Sequence, residues 1–359
     1  MAGAGDDFPV ASDLLYFDAA AIGPVPRAVQ MSVLDEEVEG LSLGTSAPGG
    51  SRLQRNRSAA RIEAGRLLAI EPDRVAIVSS AMAALRDALA QLEVGPGNVV
   101  VLEEDYPDIV ECCRRFCTAR SLELRAVRSP CVDAVLDLAA LRGASDRDTR
   151  LIAVSSVHSW TGRELSLGDL AELACSVDAL LVVDASQAVG AVPVDARVVD
   201  LLVTAGYKWL CAELGAAVAT ATERVLEACS SDGRAPTAAE ILEPSTMSPL
   251  ATAFLRRSIE YLLELGVERI AEHNRVLTTR LREGLADMEA TFATSVLSSS
   301  PHILSVRFEG LDTAQLVRTL GAEGVIVSDR EGWVRWAPHL YTSADDVDRA
   351  LEVVAGVVH

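Results

Sequence analysis

From about residue 50 to residue 225 the chain alternates short apolar runs with longer amphipathic stretches. The apolar runs are Val75–Val78, Val99–Leu102, Leu122–Val127, Leu151–Val154, Ala179–Asp184 and Leu201–Thr204. Most have no polar face, which is the pattern of strands covered by helices on both sides. Ala81–Leu92 carries a helical period and reads as the helix after the first strand. This strand–helix alternation predicts an α/β layer fold. Further on, Arg256–Leu285 reads as mostly helical with a break near Gly266. A second strand–helix pattern follows, with Ile303–Val306 and Val334–Trp336 as strands, and predicts a smaller α/β domain. Leu43–Ser51, rich in Gly, Ser, Pro and Ala, is the most irregular stretch and reads as a mobile loop.

Candidate chemistry enters at one residue. Lys208 is the single lysine among 32 lysines and arginines. Scarcity of lysine accompanies a composition high in Ala, Val and Arg; the position of the one that remains is the signal. Arginine stays protonated and cannot form a Schiff base, whereas a desolvated lysine can. Asp184 ends one predicted strand, and Lys208 lies just beyond the next. Ligands of open α/β sheets sit outside the carboxyl ends of the strands, so both side chains are expected in one crevice. A buried aspartate facing a pyridine nitrogen keeps it protonated and makes the ring an electron sink. Gln187, three residues on, is placed to hydrogen-bond the ring's phenolic oxygen.

The stretches Asp184–Gln187, Gly190–Asp195 and Gly206–Leu210 resemble the motifs of the class V aminotransferase family. Tyr16–Pro24 resembles that family's N-terminal substrate-side segment. Val334–Thr342, followed by Asp345 and Asp346, is similar to its C-terminal carboxylate-binding segment. The resemblance covers nearly the whole chain. It implies the fold type I architecture of pyridoxal-phosphate-dependent transferases, with a large domain at 15–250 built on a mainly parallel seven-stranded sheet. An N-terminal segment at 1–14 precedes it, and a small C-terminal α/β domain at 251–359 follows. The resemblance further implies pyridoxal 5'-phosphate on Lys208, an amino-acid substrate, and a homodimer with active sites at the interface.

Other positions take their expected roles from the same resemblance. Ser79 and Ser80 stand between a strand and a helix N-terminus, where free N–H groups and hydroxyls can hold an anion or simply cap the helix. The family pattern assigns the cofactor's phosphate to Ser79, Ser80 and Ala81. It also places hydroxyls where this chain has Ala81, Met82 and Ala205; Thr204 and Tyr207 are the candidates to compensate. Thr246 is expected to reach the phosphate of a neighbouring subunit's cofactor. Tyr106 matches the residue that stacks on the pyridine ring, and Ser159 matches one that approaches the phenolic oxygen. His158, Trp160 and Ala20 are expected beside the substrate, with His158 equally readable as a hydrogen-bonded structural histidine. Arg335 is the candidate for the substrate carboxylate, because a guanidinium binds it through two parallel hydrogen bonds.

Composition narrows the remaining classes. The 359 residues are half apolar, enough for about two domains and a large core. A net charge of −20 leaves no basic stripe for nucleic acid. No apolar run is long enough to span a bilayer, and Met1–Asp7 lacks the basic and apolar regions of a signal peptide. The seven cysteines include no Cys-x-x-Cys pair. Cys112, Cys113 and Cys117 fit one helix with no histidine near, so free thiols in a reducing cytoplasm are expected rather than a metal site.

The type of reaction is less sharply drawn. Cysteine desulfurases carry a nucleophilic cysteine on a mobile loop before the carboxylate-binding arginine. Here Ser328–Trp333 contains none, and no cysteine occurs after Cys229. The Glu104–Tyr106 loop and compact C-terminus are similar to C–S lyases of ergothioneine-type and natural-product sulfur pathways. β-Elimination from an S-substituted cysteine is therefore the leading expectation. Transamination, epimerisation, cyclisation and decarboxylation are the alternatives. A regulatory cofactor-binding protein is disfavoured by the intact Asp184, Gln187 and Lys208 set.

Overall fold

The computed structural model describes residues 5–43, 52–129, 133–229, 236–243 and 246–358. Its central feature is one seven-stranded sheet. The spatial order is Val75–Val78, Ala217–Ala221, Leu201–Ala205, Leu180–Asp184, Thr149–Ser155, Asn98–Leu102 and Glu123–Val127. Neighbours run parallel except Ala217–Ala221, which is antiparallel to both strands beside it. The strand–helix pattern predicts the α/β layering, and the family resemblance implies the mainly parallel seven-stranded sheet; both are as found.

The continuous apolar runs follow from the layering. Within Leu180–Asp184, Leu181 and Val183 join the apolar cluster on one face, while Leu180 and Val182 join the cluster on the other. Side chains alternate between faces, so a strand covered on both sides has no polar positions to spare. Glu123–Val127 differs. It lies at the sheet edge, with Glu123 and Ala126 exposed, and its interleaved Glu123 and Arg125 suit an edge. Ala217–Ala221 is not singled out by the sequence pattern, because alanine is a weak strand former. It closes the sheet between two strands that the pattern does find.

Pro249–Leu265 and Val267–Asp287 are two helices, parted at Gly266, whose φ is 84°. Beyond them lies a four-stranded antiparallel sheet in the order Ser328–Arg330, Trp333–Trp336, Leu304–Arg307, Thr291–Phe292. The N-terminal segment reaches this layer. Leu15–Tyr16 pairs in parallel with Val325–Ile326, and Leu15 and Phe17 are buried in the same cluster as Leu304 and Trp336. Asp18, next along, bridges to Ala337. Cys112, Cys113 and Cys117 share the helix Pro107–Arg120. Residues 44–51, most of the irregular stretch, lie outside the described residues. Among those described, no helix is long and apolar enough to cross a membrane.

Candidate active site

Three parallel strands end side by side at Ser155, Asp184 and Ala205, with Asp184 in register with Ser155 on one side and Val203 on the other. Asp184 is held there by the Ser186 N–H, which donates to its Oδ1 at 2.8 Å. Lys208 follows Ala205 by three residues. The residue is half-buried, and desolvation pushes its pKa down, with Arg335 and Arg330 adding to the shift and Asp184 opposing it. Burial pushes the Asp184 carboxyl up, with Lys208 opposing. The site therefore raises the neutral fraction of the amine, the form a nucleophile or base needs. The Lys208 Nζ lies 5.9 Å from the ring centroids of both Tyr106 and Tyr207. Chain packing here is close: the Gly23 N–H donates to the Tyr207 carbonyl at 2.8 Å, and a Cβ on Gly23 would strike the Lys208 carbonyl oxygen.

Lys208 opens on a cavity of about 750 Å³. Of the residues expected at the site, Ala20, Tyr106, Gln187, Tyr207 and Arg335 line it, as do His158, Ser159 and Trp160. Asp184 sits behind it, within electrostatic reach of Lys208. Ser79, Ser80, Ala81 and Thr246 do not line it. Ser80 caps the helix Ala81–Gln91 by accepting from the Ala83 N–H at 3.1 Å; Ser79 and Thr246 are exposed, and Ala81 is buried. Two further cavities, of about 470 and 460 Å³ near Pro193, hold none of the expected residues.

The orientation of the Gln187 amide is set by its neighbours. Trp209 Nε1–H can only donate, and it donates to Gln187 Oε1 at 2.7 Å. Gln187 must then turn its NH₂ the other way, where Nε2 donates to the Ala20 carbonyl at 3.1 Å and keeps a second N–H. His302 Nε2 donates to the Gln187 carbonyl at 2.5 Å, and His339 Nε2 donates to the Trp209 carbonyl at 3.1 Å. Both histidines are fully buried, and desolvation depresses their pKa values to about 4 and about 3. Gln187 thus keeps one Nε2 N–H beyond its bond to Ala20, and its Oε1 is engaged by Trp209.

His158 has both ring nitrogens engaged. Nε2 donates to the Glu104 carbonyl at 2.8 Å, and Nδ1 pairs with Thr161 Oγ1 at 2.8 Å. What it offers the cavity is ring surface packed edge-on against Trp160, with burial holding its pKa low. Ser159 is anchored through its carbonyl, which accepts from Arg335 Nη1 at 2.8 Å. The Nη2 of Arg335 donates to Asp18 Oδ1 at 2.8 Å, and its buried Nε has no hydrogen-bond partner among the described residues. Arg335 is thus held on two sides and retains a donor.

Sequence reasoning passed over several contributors. Asp105 accepts from the Tyr106 and Ser155 N–H groups at 2.6 and 2.7 Å, which pins the loop carrying Tyr106 to a strand end. Asp18, Trp209 and His302 position Arg335 and Gln187 from distant parts of the chain. Arg330 lines the cavity beside Arg335. Its signal was present: Glu331 and Gly332 mark a tight turn that brings Arg330 back beside the Arg335 strand.

A family model described as aminotransferase class-V matches residues 15–333. The isopenicillin N epimerase of Streptomyces clavuligerus is 28% identical, covering 93% of each chain. An uncharacterized aminotransferase of Bacillus subtilis is 26% identical, covering 84% of each. Among solved structures, a cystine C–S lyase complexed with its product cysteine persulfide shares the fold with a TM-score of 0.88 at 16% identity, over 97% of this chain and 99% of that one. The motif order, the strand-end geometry around Lys208 and the family match over residues 15–333 agree: the chain belongs to the class V aminotransferase family.

Proposed function

We propose that this chain is a pyridoxal-phosphate enzyme acting at Cα of an amino acid, and that its reaction is β-elimination from an S-substituted cysteine. The donor set fits the cofactor. Lys208 has a half-buried amine with lowered pKa for its aldehyde, Asp184 a buried carboxylate for its ring nitrogen, Gln187 an oriented N–H, and Tyr106 an aromatic face. For the phosphate the candidate is the N-terminus of helix Ala81–Gln91 with Ser79 and Ser80, which lies outside the lining of the Lys208 cavity. The observation that carries the reading is the chain's single lysine, half-buried beside Asp184 where the strands end.

The bound cofactor withdraws electrons from Cα of the attached amino acid and so acidifies its Cα–H bond. The protein does the rest. Arg335 grips the α-carboxylate and fixes which Cα bond faces Lys208. The neutral Lys208 amine takes the Cα proton. The electron pair left at Cα forms the Cα–Cβ double bond, and the thiolate departs with the C–S electrons. The released enamine hydrolyses to pyruvate and ammonia. Elimination is favoured over sulfur transfer to the protein by the hairpin at Arg330–Trp333. It turns over two residues, Glu331 and Gly332, and carries no thiol. Cys211, the cysteine nearest Lys208 in sequence, is fully buried with its pKa pushed up by desolvation, so it supplies no thiolate.

The test is a panel of S-substituted cysteines supplied without any keto acid, followed for pyruvate and free thiol. Both products are expected. Consumption of an α-keto acid in step with an amino donor would replace the reading with an aminotransferase, and inversion at Cα with an epimerase.

The working unit in this reading is a homodimer. Met31, Leu34 and Val38 are exposed at helical spacing along Arg27–Leu43, an apolar stripe of the kind a second copy covers. A fully active monomer by sedimentation would overturn this part.

A further inference from the structure

Two guanidiniums share one face of the small antiparallel sheet. In the hairpin, Ser328 stands opposite Arg335 and Arg330 opposite Trp333. Side chains alternate along a strand, and directly opposed residues project to the same side. Ser328, Arg330, Trp333 and Arg335 therefore project from one face. Contacts agree: Arg335 Nη2 reaches Ser328 Oγ at 3.4 Å, and Trp333 stacks on the cavity residue Trp160 at 6.2 Å between centroids. The opposite face carries Val334, buried in the core. Both Glu331 and Gly332 are left-handed, with φ of 52° and 77°, the backbone of a two-residue hairpin turn, and this fixes the register.

The two arginines differ in what surrounds them. Arg335 is buried and paired with Asp18. Arg330 is exposed to the cavity and pairs with no carboxylate among the described residues. Four acidic residues line the cavity; Glu331, exposed in the turn, makes no ion pair with Arg330 among the described residues, and the other three are already engaged. Glu103 pairs with Arg128, Glu104 accepts from the Ser129 N–H, and Asp105 accepts from Tyr106 and Ser155. Arg330 lies two residues along the ladder from Arg335, about 7 Å of strand. A single carboxylate spans far less than that.

We propose that Arg330 is a specificity-determining residue that receives a second carboxylate, on the side chain of the substrate, while Arg335 holds the α-carboxylate. This deepens the reading above, since it rests on the Lys208 cavity being the amino-acid site. The substrate class is then an amino acid, or S-substituted cysteine, whose side chain ends in an anion. An uncompensated cation on the wall of a partly desolvated cavity selects its counter-ion by charge, and rejects neutral side chains by leaving its own donors unmet.

The experiment titrates the holoenzyme by calorimetry with two unreactive acids of equal length, glutarate and pentanoate. Wild type is expected to bind glutarate at least tenfold more tightly. Arg330→Gln should bring the ratio near one by weakening glutarate alone, and Arg330→Lys should restore part of it. Equal weakening of both acids by Arg330→Gln would mean that Arg330 shares the α-carboxylate, and the proposal fails. It fails equally if wild type does not discriminate. Turnover separates the two layers. Pyruvate from S-(2-carboxyethyl)cysteine, compared with S-propylcysteine, reports elimination. No pyruvate with glutarate selectivity intact would sink the lyase reading and leave Arg330's role standing.

Discussion

Trp209→Phe removes one hydrogen-bond donor at the centre of the site's support. In the native arrangement the indole N–H meets Gln187 Oε1 at 2.7 Å, with Trp209 fully buried and Gln187 nearly so. Phenylalanine keeps an aromatic ring against His302 and His339 but leaves the amide oxygen unpaired, at about 1–3 kcal/mol. The smaller ring also leaves a void worth on the order of 1 kcal/mol. Gln187→Met removes the oxygen instead and strands the indole N–H and the Ala20 carbonyl. In the double variant Oε1 and the indole N–H disappear together, while the Ala20 carbonyl stays unpaired as in Gln187→Met. The two substitutions should therefore be less than additive, with a coupling of about 1–2 kcal/mol. Urea denaturation of the apoprotein, followed by circular dichroism, reads all four corners of the cycle as midpoint shifts at constant slope. Additivity within about 0.5 kcal/mol would refute the argument that Trp209 sets the amide orientation, since neighbours that share no interaction add.

Three further outcomes are expected. Borohydride reduction followed by peptide mass mapping should place the cofactor on Lys208, and Lys208→Arg should abolish covalent attachment; label on the N-terminal amine would contradict the central assignment. Asp184→Asn should lower turnover by orders of magnitude while the urea midpoint stays close to wild type, because the charge acts on the bound ring's electrons; near-normal turnover would make Asp184 structural. His302 and His339 have folded pKa values of about 4 and about 3, below the unfolded value of about 6.5. Since each is depressed, the unfolded chain binds more protons on acidification, so their stabilisation is present above about pH 6.5 and fades as pH falls toward 4. From pH 7 to pH 5 the pair should lose on the order of 4 kcal/mol, and His302→Gln should roughly halve that slope; an unchanged slope would show that His302 does not titrate on unfolding.

Local sequence determined a good deal of this protein. Continuous Val–Leu–Ile runs can only be satisfied by burial on both faces, so the parallel strands were legible, as was the helix break at Gly266, where φ is 84°. The placement of Asp184 and Lys208 at neighbouring strand ends was legible too, because residue type and strand-end position are both properties of a short window. Other features belong to no window. Glu123–Val127 became the edge because of crossover order, which periodicity does not encode. Arg335 is paired with Asp18, 317 positions away, only because Leu15–Tyr16 crosses to pair with Val325–Ile326. His158 offered two nitrogens to a substrate in sequence and none in the fold, since Glu104 and Thr161 take them. The Gln187 donor orientation needed Trp209, brought near by the next strand's return. Residue chemistry is written locally, but which donors are already engaged and which remain for a ligand is decided by long-range packing.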